Sequence, residues 1–255
     1  MRFPDQFRLD GKTALITGAS KGIGAAIART FGEAGASVIL SSRKQEALDQ
    51  LASELAEDGI EAIGIAANVG RIDELDSLVE KSIAHYQGID ILVNNAAANP
   101  VFGPVEQTDR AAFRKIIDVN LEGPFELCKM VLPLMEKAGG GSIINISSIG
   151  GLRPESMLGI YSVSKAALLS LTKVLASEWG PRGIRVNAVC PGLIKTKFSE
   201  ALWSNEAIVS RMKKQLPIPR IGQPEEIAGL CLFLASNASS YCTGGVFTAD
   251  GGYTI

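Results

Sequence analysis

Short apolar runs alternate with longer stretches of mixed polarity along most of this 255-residue chain. The runs have the length and content of buried strands, whereas the stretches repeat their apolar positions at helical spacing. Strands are predicted over 12–17, 37–41, 61–67, 89–95, 143–146, 184–189 and 241–249. Helices are predicted from the glycines at 18–24 to 33 and over 45–58, 73–86, 109–135, 156–180 and 224–235. Such alternation predicts an α/β fold, and because nothing in it marks a boundary we expect a single domain over 1–255.

The segment 195–219 departs from this alternation. Polar residues dominate it, and the apolar residues interspersed among them are Phe198, Leu202, Trp203, Ile208 and Met212. Irregular segments of this length beside a binding site often close over the bound molecules. We therefore predict a flexible helical lid over 195–219 that sets substrate preference.

Three glycines join the first predicted strand directly to the first helix. Gly18, Gly22 and Gly24 allow a tight turn, and the start of the helix presents unpaired N–H groups to an anionic phosphate. Their spacing is a variant of the dinucleotide-binding fingerprint of α/β folds. The predicted dinucleotide-binding residues of this turn are Gly18, Ser20, Lys21, Gly22, Ile23 and Gly24.

The residues after the second strand indicate which dinucleotide binds. An acidic residue about twenty positions after the glycines would favour NAD, but this chain has Ser42 followed by Arg43. Arg43 and Lys21 together offer cations to an adenosine 2′-phosphate, which favours NADP. The alternative is that Arg43 and Lys44 only solvate the start of the next helix. Because a helix N-terminus does not favour cations, phosphate binding is the preferred interpretation.

Polar and small residues follow the other strands at the same edge of the predicted sheet. Asn94 can tie neighbouring strands together, and the small residues after Asn95 let a cofactor lie against the backbone. Asn120 interrupts an apolar helical stripe, and a buried Asn needs partners such as a backbone carbonyl or a water. The candidate cofactor contacts at this edge are Asn68, Val69, Asn95, Ala96, Ala97, Pro191 and Gly192.

Ser148, Tyr161 and Lys165 have the spacing of a proton-transfer unit. Tyr161 and Lys165 lie four positions apart near the start of a helix and so share one face, while Ser148 follows the strand 143–146. A neighbouring ammonium stabilises a phenolate and lowers the pKa of the phenol, which can then exchange a proton near neutral pH. The Ser148 hydroxyl can hold a substrate carbonyl while the phenol protonates it as hydride arrives.

Composition and charge point to small-molecule partners. The chain has a net charge of −2, a pI of about 5.6 and dispersed Lys and Arg residues, so neither nucleic acid nor a membrane surface is expected as a partner. No apolar run approaches the roughly 18 to 20 residues that span a bilayer, and the start of the chain lacks the apolar core of a signal peptide. We therefore expect a soluble cytoplasmic protein.

The cysteines and the single histidine exclude two kinds of site. The four cysteines are widely separated and His85 is the only histidine, so neither a Cys/His metal site nor a hydrolase triad is expected. We predict reduced, packed cysteines and a surface position for His85. The cysteines are Cys128, Cys190, Cys231 and Cys242.

Taken together, these motifs resemble the short-chain dehydrogenase/reductase family over essentially the whole chain. The motifs that carry the resemblance are the glycine turn 17–24, Asn94-Asn95-Ala96, Asn120, Ser148, Tyr161-x-x-x-Lys165 and Pro191-Gly192. The resemblance implies a doubly wound Rossmann fold with a seven-stranded parallel sheet flanked by helices on both faces. It also implies a nicotinamide cofactor and a homotetramer.

The resemblance further implies a role for each site residue. Tyr161 would be the general acid or base, Lys165 would bind the nicotinamide ribose and lower the pKa of Tyr161, and Ser148 rather than Ser147 would orient the substrate oxygen. Asn120 would hold a water of the proton relay. The residues implied to contact the nicotinamide carboxamide are Ile194 and Thr196.

This chain departs from the family pattern at two positions. Asn68 replaces the Asp of an Asp-Val pair and should still bind the adenine, and Ala97 replaces the usual Gly of Asn-Asn-Ala-Gly. A closer similarity, to the NADP-dependent carbonyl and retinal reductases, is carried by 41–45, 95–100 and 191–203. Animal members of that branch are peroxisomal, whereas this chain ends Gly-Tyr-Thr-Ile, so their localisation is not carried over.

Three functions are compatible with the sequence. The favoured one is hydride transfer between NADP(H) and a ketone, aldehyde or secondary alcohol. A 3-oxoacyl-thioester (acyl-carrier-protein) reductase would use the same residues, but carrier docking needs a basic patch, and Lys137 and Arg182 are isolated cations. An NADP-sensing binding protein would be expected to lack Tyr161 or Lys165.

Overall fold

The computed structural model describes residues 3–255, and for Phe3 and Ile208 the backbone alone. Expectations that concern Met1, Arg2 or the side chain of Ile208 lie outside the described residues. The strands are β1 Thr13–Thr17, β2 Ser37–Ser42, β3 Ala62–Ala66, β4 Ile91–Asn94, β5 Gly141–Ile146, β6 Ile184–Pro191 and β7 Val246–Ala249. The helices are α1 Gly22–Glu33, α2 Gln45–Glu57, α3 Ile72–Tyr86, α4 Arg110–Ile117, α5 Gly123–Lys137, α6 Ile149–Leu152, α7 Gly159–Trp179, α8 Glu200–Trp203, α9 Glu206–Lys213 and α10 Pro224–Ala235.

The strands form one parallel sheet in the order β3-β2-β1-β4-β5-β6-β7. Successive side chains of a strand point to opposite faces, so each face collects its own apolar layer. In β1, Ile16 packs in the layer under α1, α2 and α10, whereas Leu15 packs in the layer under α3, α5 and α7. The predicted Rossmann fold, with seven parallel strands and helices on both faces, is confirmed.

The strand order reverses between β1 and β4, and this reversal positions the site. The chain runs outward from β1 to β3 and then crosses to β4 on the other side of β1. Connections on the two sides of such a switch point leave in opposite directions, which opens a crevice at the carboxyl ends of the strands. Thr17 and Asn94 end the two strands that border this crevice.

The predicted helix 109–135 is wrong in its middle. It is divided into α4 and α5 by the π-helical turn Asp118–Glu122, which carries the buried Asn120. Asn120 donates to Ala98 O at 3.0 Å and accepts from Ala98 N at 2.8 Å, and a widened turn gives its side chain this direction. Apolar periodicity could not reveal the widened turn.

Two predicted boundaries near the site are also wrong. The predicted helix 156–180 begins instead at Gly159, and the short helix α6 and a loop precede it. The predicted strand 241–249 pairs only over β7, because Tyr241 is fully exposed and Gly244 takes a φ of +70°. The residues at 156–158 and 241–245 therefore belong to turns and loops, although the sequence pattern assigned them to a helix and a strand.

Candidate active site

Tyr161 and Lys165 lie side by side on the first turns of α7. Both side chains are buried, with exposed fractions of 9% for Tyr161 and 2% for Lys165. The Lys165 ammonium donates to the carbonyl of Ile146, the last residue of β5, at 2.7 Å, and lies 5.7 Å from the centre of the Tyr161 ring. The end of β5 therefore fixes the lysine, and the helix fixes the tyrosine beside it.

The two serines after β5 have different surroundings. Ser148 lies close enough to Tyr161 to lower the pKa of the phenol, and its hydroxyl accepts from Gly150 N at 3.1 Å. Ser147 instead donates to the carbonyl of Lys165 at 2.9 Å, which ties β5 to α7. The structure thus brings Ser148 and not Ser147 to the phenol, as expected.

Ser148, Tyr161 and Lys165 form one corner of the site at the end of β5. Asn120 connects the π-helical turn to this corner. Besides its two hydrogen bonds to Ala98, it donates to Ser164 Oγ at 3.0 Å, and Ser164 donates to the carbonyl of Tyr161 at 2.7 Å. The expected anchor to a backbone carbonyl is therefore present. Each member of this buried chain has a partner, so the first turn of α7 is held firmly.

Burial controls the ionisation of the tyrosine and the lysine. It raises the pKa of Tyr161 to about 12, although the hydrogen bond from Ser148 acts in the opposite direction. Burial also lowers the pKa of Lys165 to about 8. The expected net lowering of the tyrosine pKa is therefore not seen, because removal from water is the largest effect on the phenol. At neutral pH the phenol holds its proton.

The glycine turn meets its neighbours at close range. A Cβ on Gly18 would lie 2.9 Å from Ala96 Cα, and one on Gly24 would lie 2.5 Å from Gly18 O. Gly18 also has a φ of +65°, which an L side chain rarely adopts. The side-chain amide of Asn95 donates to Thr17 O at 2.9 Å and so joins this turn to the end of β4.

The start of α1 fits the diphosphate of a dinucleotide. Lys21 occupies the N-cap position and makes no side-chain capping hydrogen bond, and the first turn has no acidic residue. The N–H groups of the first turn of α1 therefore have no competing side-chain acceptor, and this is the arrangement that binds phosphate. Gly22 and Ile23 begin the helix, and Ser20 precedes it.

The end of β2 has the expected cations on its surface. Arg43 and Lys21 are exposed and Ser42 is half-buried. Within residues 3–255, neither Arg43 nor Lys21 forms an ion pair or a side-chain hydrogen bond. Both cations are thus available to an anionic ligand.

Asn68 and Val69 lie where the loop after β3 passes the crevice. The side-chain oxygen of Asn68 accepts from Gly70 N at 3.2 Å, while its amide nitrogen makes no hydrogen bond within the described part of the chain. Val69 is buried, and its carbonyl lies 2.1 Å from the place a Cβ on Gly123 would take. Asn68 keeps a donor for an adenine acceptor.

The loop after β6 crosses above the glycine turn. Pro191 and Ile194 are buried, and Gly192 lies against the backbone of Asp250. Thr196 Cγ2 lies 3.2 Å from the place a Cβ on Gly22 would take. The structure thereby brings Thr196, one of the two predicted carboxamide contacts, to the start of α1.

The lid segment 195–219 contains the two helices α8 and α9, as predicted. Its two ends are held together, since Lys195 N donates to Gly222 O at 2.9 Å and Gly222 N donates to Leu193 O at 3.0 Å. Phe198 is 57% exposed, and its ring centre lies 6.1 Å from that of Tyr161. A cavity of about 470 Å³ beneath α8 is lined by Lys195, Thr196, Lys197, Glu200, Trp203 and Gln223.

Sequence reasoning missed Glu155. This half-buried carboxylate lies in the loop between α6 and α7, close enough for its charge to oppose ionisation of Tyr161. The signal available in the sequence was an acid six positions before the tyrosine. Loop residues follow no regular periodicity, so the sequence could not predict where the Glu155 side chain points.

The remaining expectations on single residues agree with the structure. His85 is exposed, and all four cysteines are free, three of them buried. Asn94 donates to Asn145 Oδ1 at 2.9 Å and so ties β4 to β5. Among residues 3–255 there is no cluster of metal-binding side chains and no helix with the length and apolarity needed to cross a membrane.

Comparisons with known proteins agree with this geometry. A family model described as enoyl-(acyl carrier protein) reductase matches residues 18–254. Dehydrogenase/reductase SDR family member 4 of Sus scrofa is 45% identical over 244 residues, which cover 96% of this chain and 88% of the relative.

Two solved structures have the same fold over nearly the whole chain. A 7α-hydroxysteroid dehydrogenase complexed with NADH and 7-oxo glycochenodeoxycholic acid is 37% identical, with a TM-score of 0.95 and coverage of 99% and 98% of the two chains. A gluconate 5-dehydrogenase from Burkholderia cenocepacia in complex with NADP and tartrate is 34% identical, with a TM-score of 0.94 and coverage of 98% of each chain.

Proposed function

Because this chain belongs to the short-chain dehydrogenase/reductase family and is an oxidoreductase of that family, we propose that it is an NADP(H)-dependent carbonyl reductase. The observation that carries the proposal is the buried corner at the end of β5, where a protonated phenol lies between Ser148 and Lys165. At neutral pH this phenol holds its proton and can give it to a carbonyl oxygen as negative charge develops there, which is the step that reduction requires. The substrate is a ketone or an aldehyde.

Each residue of the corner has a separate task in this reaction. The bound cofactor supplies the hydride. Ser148 holds the carbonyl oxygen by a hydrogen bond, and Tyr161 gives its phenolic proton to that oxygen as negative charge develops there. Lys165, ionised at neutral pH, stabilises the phenolate that remains and would also bind the nicotinamide ribose. Asn120 would hold the water through which the phenol regains its proton.

NADP is the proposed cofactor because of the charge at the end of β2. Arg43 and Lys21 are exposed cations without an ion-pair partner within residues 3–255, and Ser42 adds a hydroxyl donor. A 2′-phosphate would find two cations there, whereas a free ribose hydroxyl would find no carboxylate. The solved structures contain either cofactor, NADP in the gluconate 5-dehydrogenase and NADH in the 7α-hydroxysteroid dehydrogenase, so the proposal rests on these cations.

A 3-oxoacyl-thioester reductase is the second candidate. The description of the matching family model, which names an acyl-carrier-protein reductase, favours it. Arg182, however, pairs with Glu136 at the start of β6, at the edge of the sheet opposite the active-site corner. The exposed cations near the corner are Arg153, Lys195 and Lys197.

We also propose a homotetramer and a cytoplasmic location. Helices α4, α5 and α7 expose the apolar side chains that a subunit interface would cover, with exposed fractions of 37% to 55%: Phe113, Phe125, Val163 and Val174. Light scattering of the purified protein tests the assembly. A monomer would contradict it.

The experiment for the proposed function is NADPH consumption with a panel of neutral ketones and with a 3-oxoacyl thioester. We expect turnover of at least one ketone class with a kcat/KM of about 10⁴ M⁻¹s⁻¹ or more, in the ordinary range for enzymes. Preference for the thioester by about tenfold or more would favour the second candidate. Binding of NADPH with no turnover of either class would point to a cofactor-sensing protein instead.

A further inference from the structure

Thr196 connects the glycine turn to the lid segment. Its Cγ2 lies 3.2 Å from the place a Cβ on Gly22 would take, so its side chain lies against the start of α1. A few residues later the chain forms α8, the first helix of the lid segment. A contact from α8 to Thr196 therefore acts on a residue that would meet the nicotinamide carboxamide in the proposed function.

The indole of Trp203, the last residue of α8, makes such a contact. Trp203 Nε1 donates to the carbonyl of Thr196 at 2.6 Å, which is short for a hydrogen bond from nitrogen. The backbone of the tryptophan is fixed separately, because Trp203 N donates to Ser199 O at 3.2 Å. A partly covered tryptophan needs a partner for its N–H group, and here the partner is a main-chain carbonyl beside the cofactor crevice.

Ser199 holds the hydroxyl of Thr196 from the other direction. The oxygens Ser199 Oγ and Thr196 Oγ1 are 3.0 Å apart, and Ser199 Oγ donates to the carbonyl of Ile194. Because a serine hydroxyl has one proton, the Thr196 hydroxyl is then the donor between the two. An oxygen lone pair of Thr196 is left that can accept from an amide N–H group.

The loop, rather than the core, sets the direction of the Trp203 ring. The ring is half-buried and borders two cavities of about 470 and 490 Å³. The ammonium of Lys195 lies 5.5 Å from the ring centre, close enough for a cation–π attraction. Lys195 and the Thr196 carbonyl are neighbours in the chain, so both contacts tie the indole to the same short segment.

We propose that Trp203 is a positioning residue, whose indole N–H holds Thr196 in place for the nicotinamide half of the cofactor. It acts through the carbonyl of Thr196. A group that is already held in its binding geometry loses less freedom when the ligand arrives, so this hydrogen bond contributes to affinity for the nicotinamide. This inference rests on the proposed function, because it assigns a support to the cofactor site of that function.

The test separates the nicotinamide half of NADPH from the remainder. NADPH and 2′-phospho-ADP-ribose, the same nucleotide without the nicotinamide, are each titrated into the full chain by calorimetry. Trp203→Phe keeps an aromatic ring at this position and removes the N–H donor. We expect it to weaken NADPH binding about fivefold, as for one lost hydrogen bond, and to change 2′-phospho-ADP-ribose binding by less than about twofold.

Thr196→Val tests whether Trp203 acts through Thr196. This variant keeps a methyl group against Gly22 and removes the hydroxyl that would accept from the carboxamide. In the Thr196→Val background, Trp203→Phe should weaken NADPH binding by less than about twofold, because the contact that it supports is already lost. The same fivefold loss in both backgrounds would overturn the inference.

Trp179→Phe is the matched control. Trp179 is the other tryptophan of the chain and is buried at the end of α7, so its loss should leave both affinities within about twofold. Unchanged NADPH binding by Trp203→Phe, or equal weakening of both ligands, would overturn the inference, and turnover in the ketone assay would still leave the proposed function standing. Wild type that binds neither ligand would overturn both.

Discussion

Two corners of the same sheet edge are built in opposite ways. At the end of β5, Tyr161, Lys165 and Asn120 are buried, and side chains and backbone carbonyls hold them through a continuous set of hydrogen bonds. At the end of β2, Arg43 and Lys21 extend into solvent with no ion pair within residues 3–255. In the proposed function, the fold therefore fixes the proton-transfer group in advance, whereas surface side chains choose the cofactor.

The difference has an energetic basis. Removing one partner of a buried hydrogen bond leaves the other unsatisfied at a cost of about 1 to 3 kcal/mol, so the β5 corner tolerates little change. Exposed charges contribute about 0 to 1 kcal/mol to stability, so the β2 corner can be altered without loss of the fold. We expect substitutions at the two corners to separate chemistry from cofactor choice.

Tyr161→Phe should have the largest effect. The ring and its packing against Phe198 remain, but the proton donor is lost, so kcat for ketone reduction should fall by about a thousandfold while NADPH affinity changes little. Steady-state kinetics and a fluorescence titration with NADPH measure the two quantities. Tyr86→Phe is the matched control, because it removes a phenolic hydroxyl on α3 that has no hydrogen-bond partner within the described residues. Retention of more than about a tenth of wild-type kcat by Tyr161→Phe would refute the role of the phenol.

Arg43→Asp should change the cofactor and not the chemistry. A carboxylate at the end of β2 repels a 2′-phosphate and can accept from a ribose hydroxyl, so the ratio of NADPH to NADH affinity should fall by about a hundredfold. Titration of both cofactors by fluorescence gives this ratio. Lys44→Asp reverses the neighbouring charge and should change the ratio much less. Equal effects of the two variants would mean that these cations only solvate the start of α2.

The rate of reduction should fall as pH rises through about 8. Lys165 has a pKa lowered to about 8, so it loses its charge above that pH, whereas Tyr161, with a pKa of about 12, stays protonated. Between pH 7 and pH 9, kcat/KM, which reports ionisation before the substrate binds, should decrease about tenfold. Lys165→Arg keeps its charge, so its residual activity should not show this decrease. A wild-type profile flat to pH 10 would contradict the assignment.

Phe198→Ala should have the smallest effect. Phe198 belongs to the lid segment and reaches the phenol from the exposed side, so its loss should change the ranking of ketones by about three- to tenfold in kcat/KM. Cofactor affinity should stay within about twofold. The control, Tyr241→Ala, removes an exposed aromatic side chain ahead of β7. A change in NADPH affinity larger than the change in ketone ranking would refute the specificity role of the lid.

The β5 corner also shows what the sequence could predict. Tyr161 and Lys165 share a helix, so their four-residue spacing placed them on one face, and the apolar run before Ser148 placed that serine at the end of a strand. The strand and helix pattern likewise led to the α/β alternation. These predictions held because each depends on periodicity within a single element.

Features that depend on several elements together could not be predicted. Asn120 in the apolar stripe indicated a buried partner, but periodicity in 109–135 identified neither Ala98 nor the π-helical turn from which the side chain reaches it. The raised pKa of Tyr161 depends on how completely the folded chain buries the side chain. Glu155 approaches the phenol through a loop, where sequence spacing gives no direction.

A double-variant cycle tests the central claim, that chemistry at β5 and cofactor choice at β2 are independent. Arg43→Asp, Tyr161→Phe and the double variant are compared with wild type by single-turnover ketone reduction, each with saturating NADPH and saturating NADH. If the two are independent, Tyr161→Phe should lower the rate by the same factor in wild type and in Arg43→Asp, within a coupling of about 0.5 kcal/mol. A coupling above about 1 kcal/mol, which is roughly fivefold in rate, would contradict it.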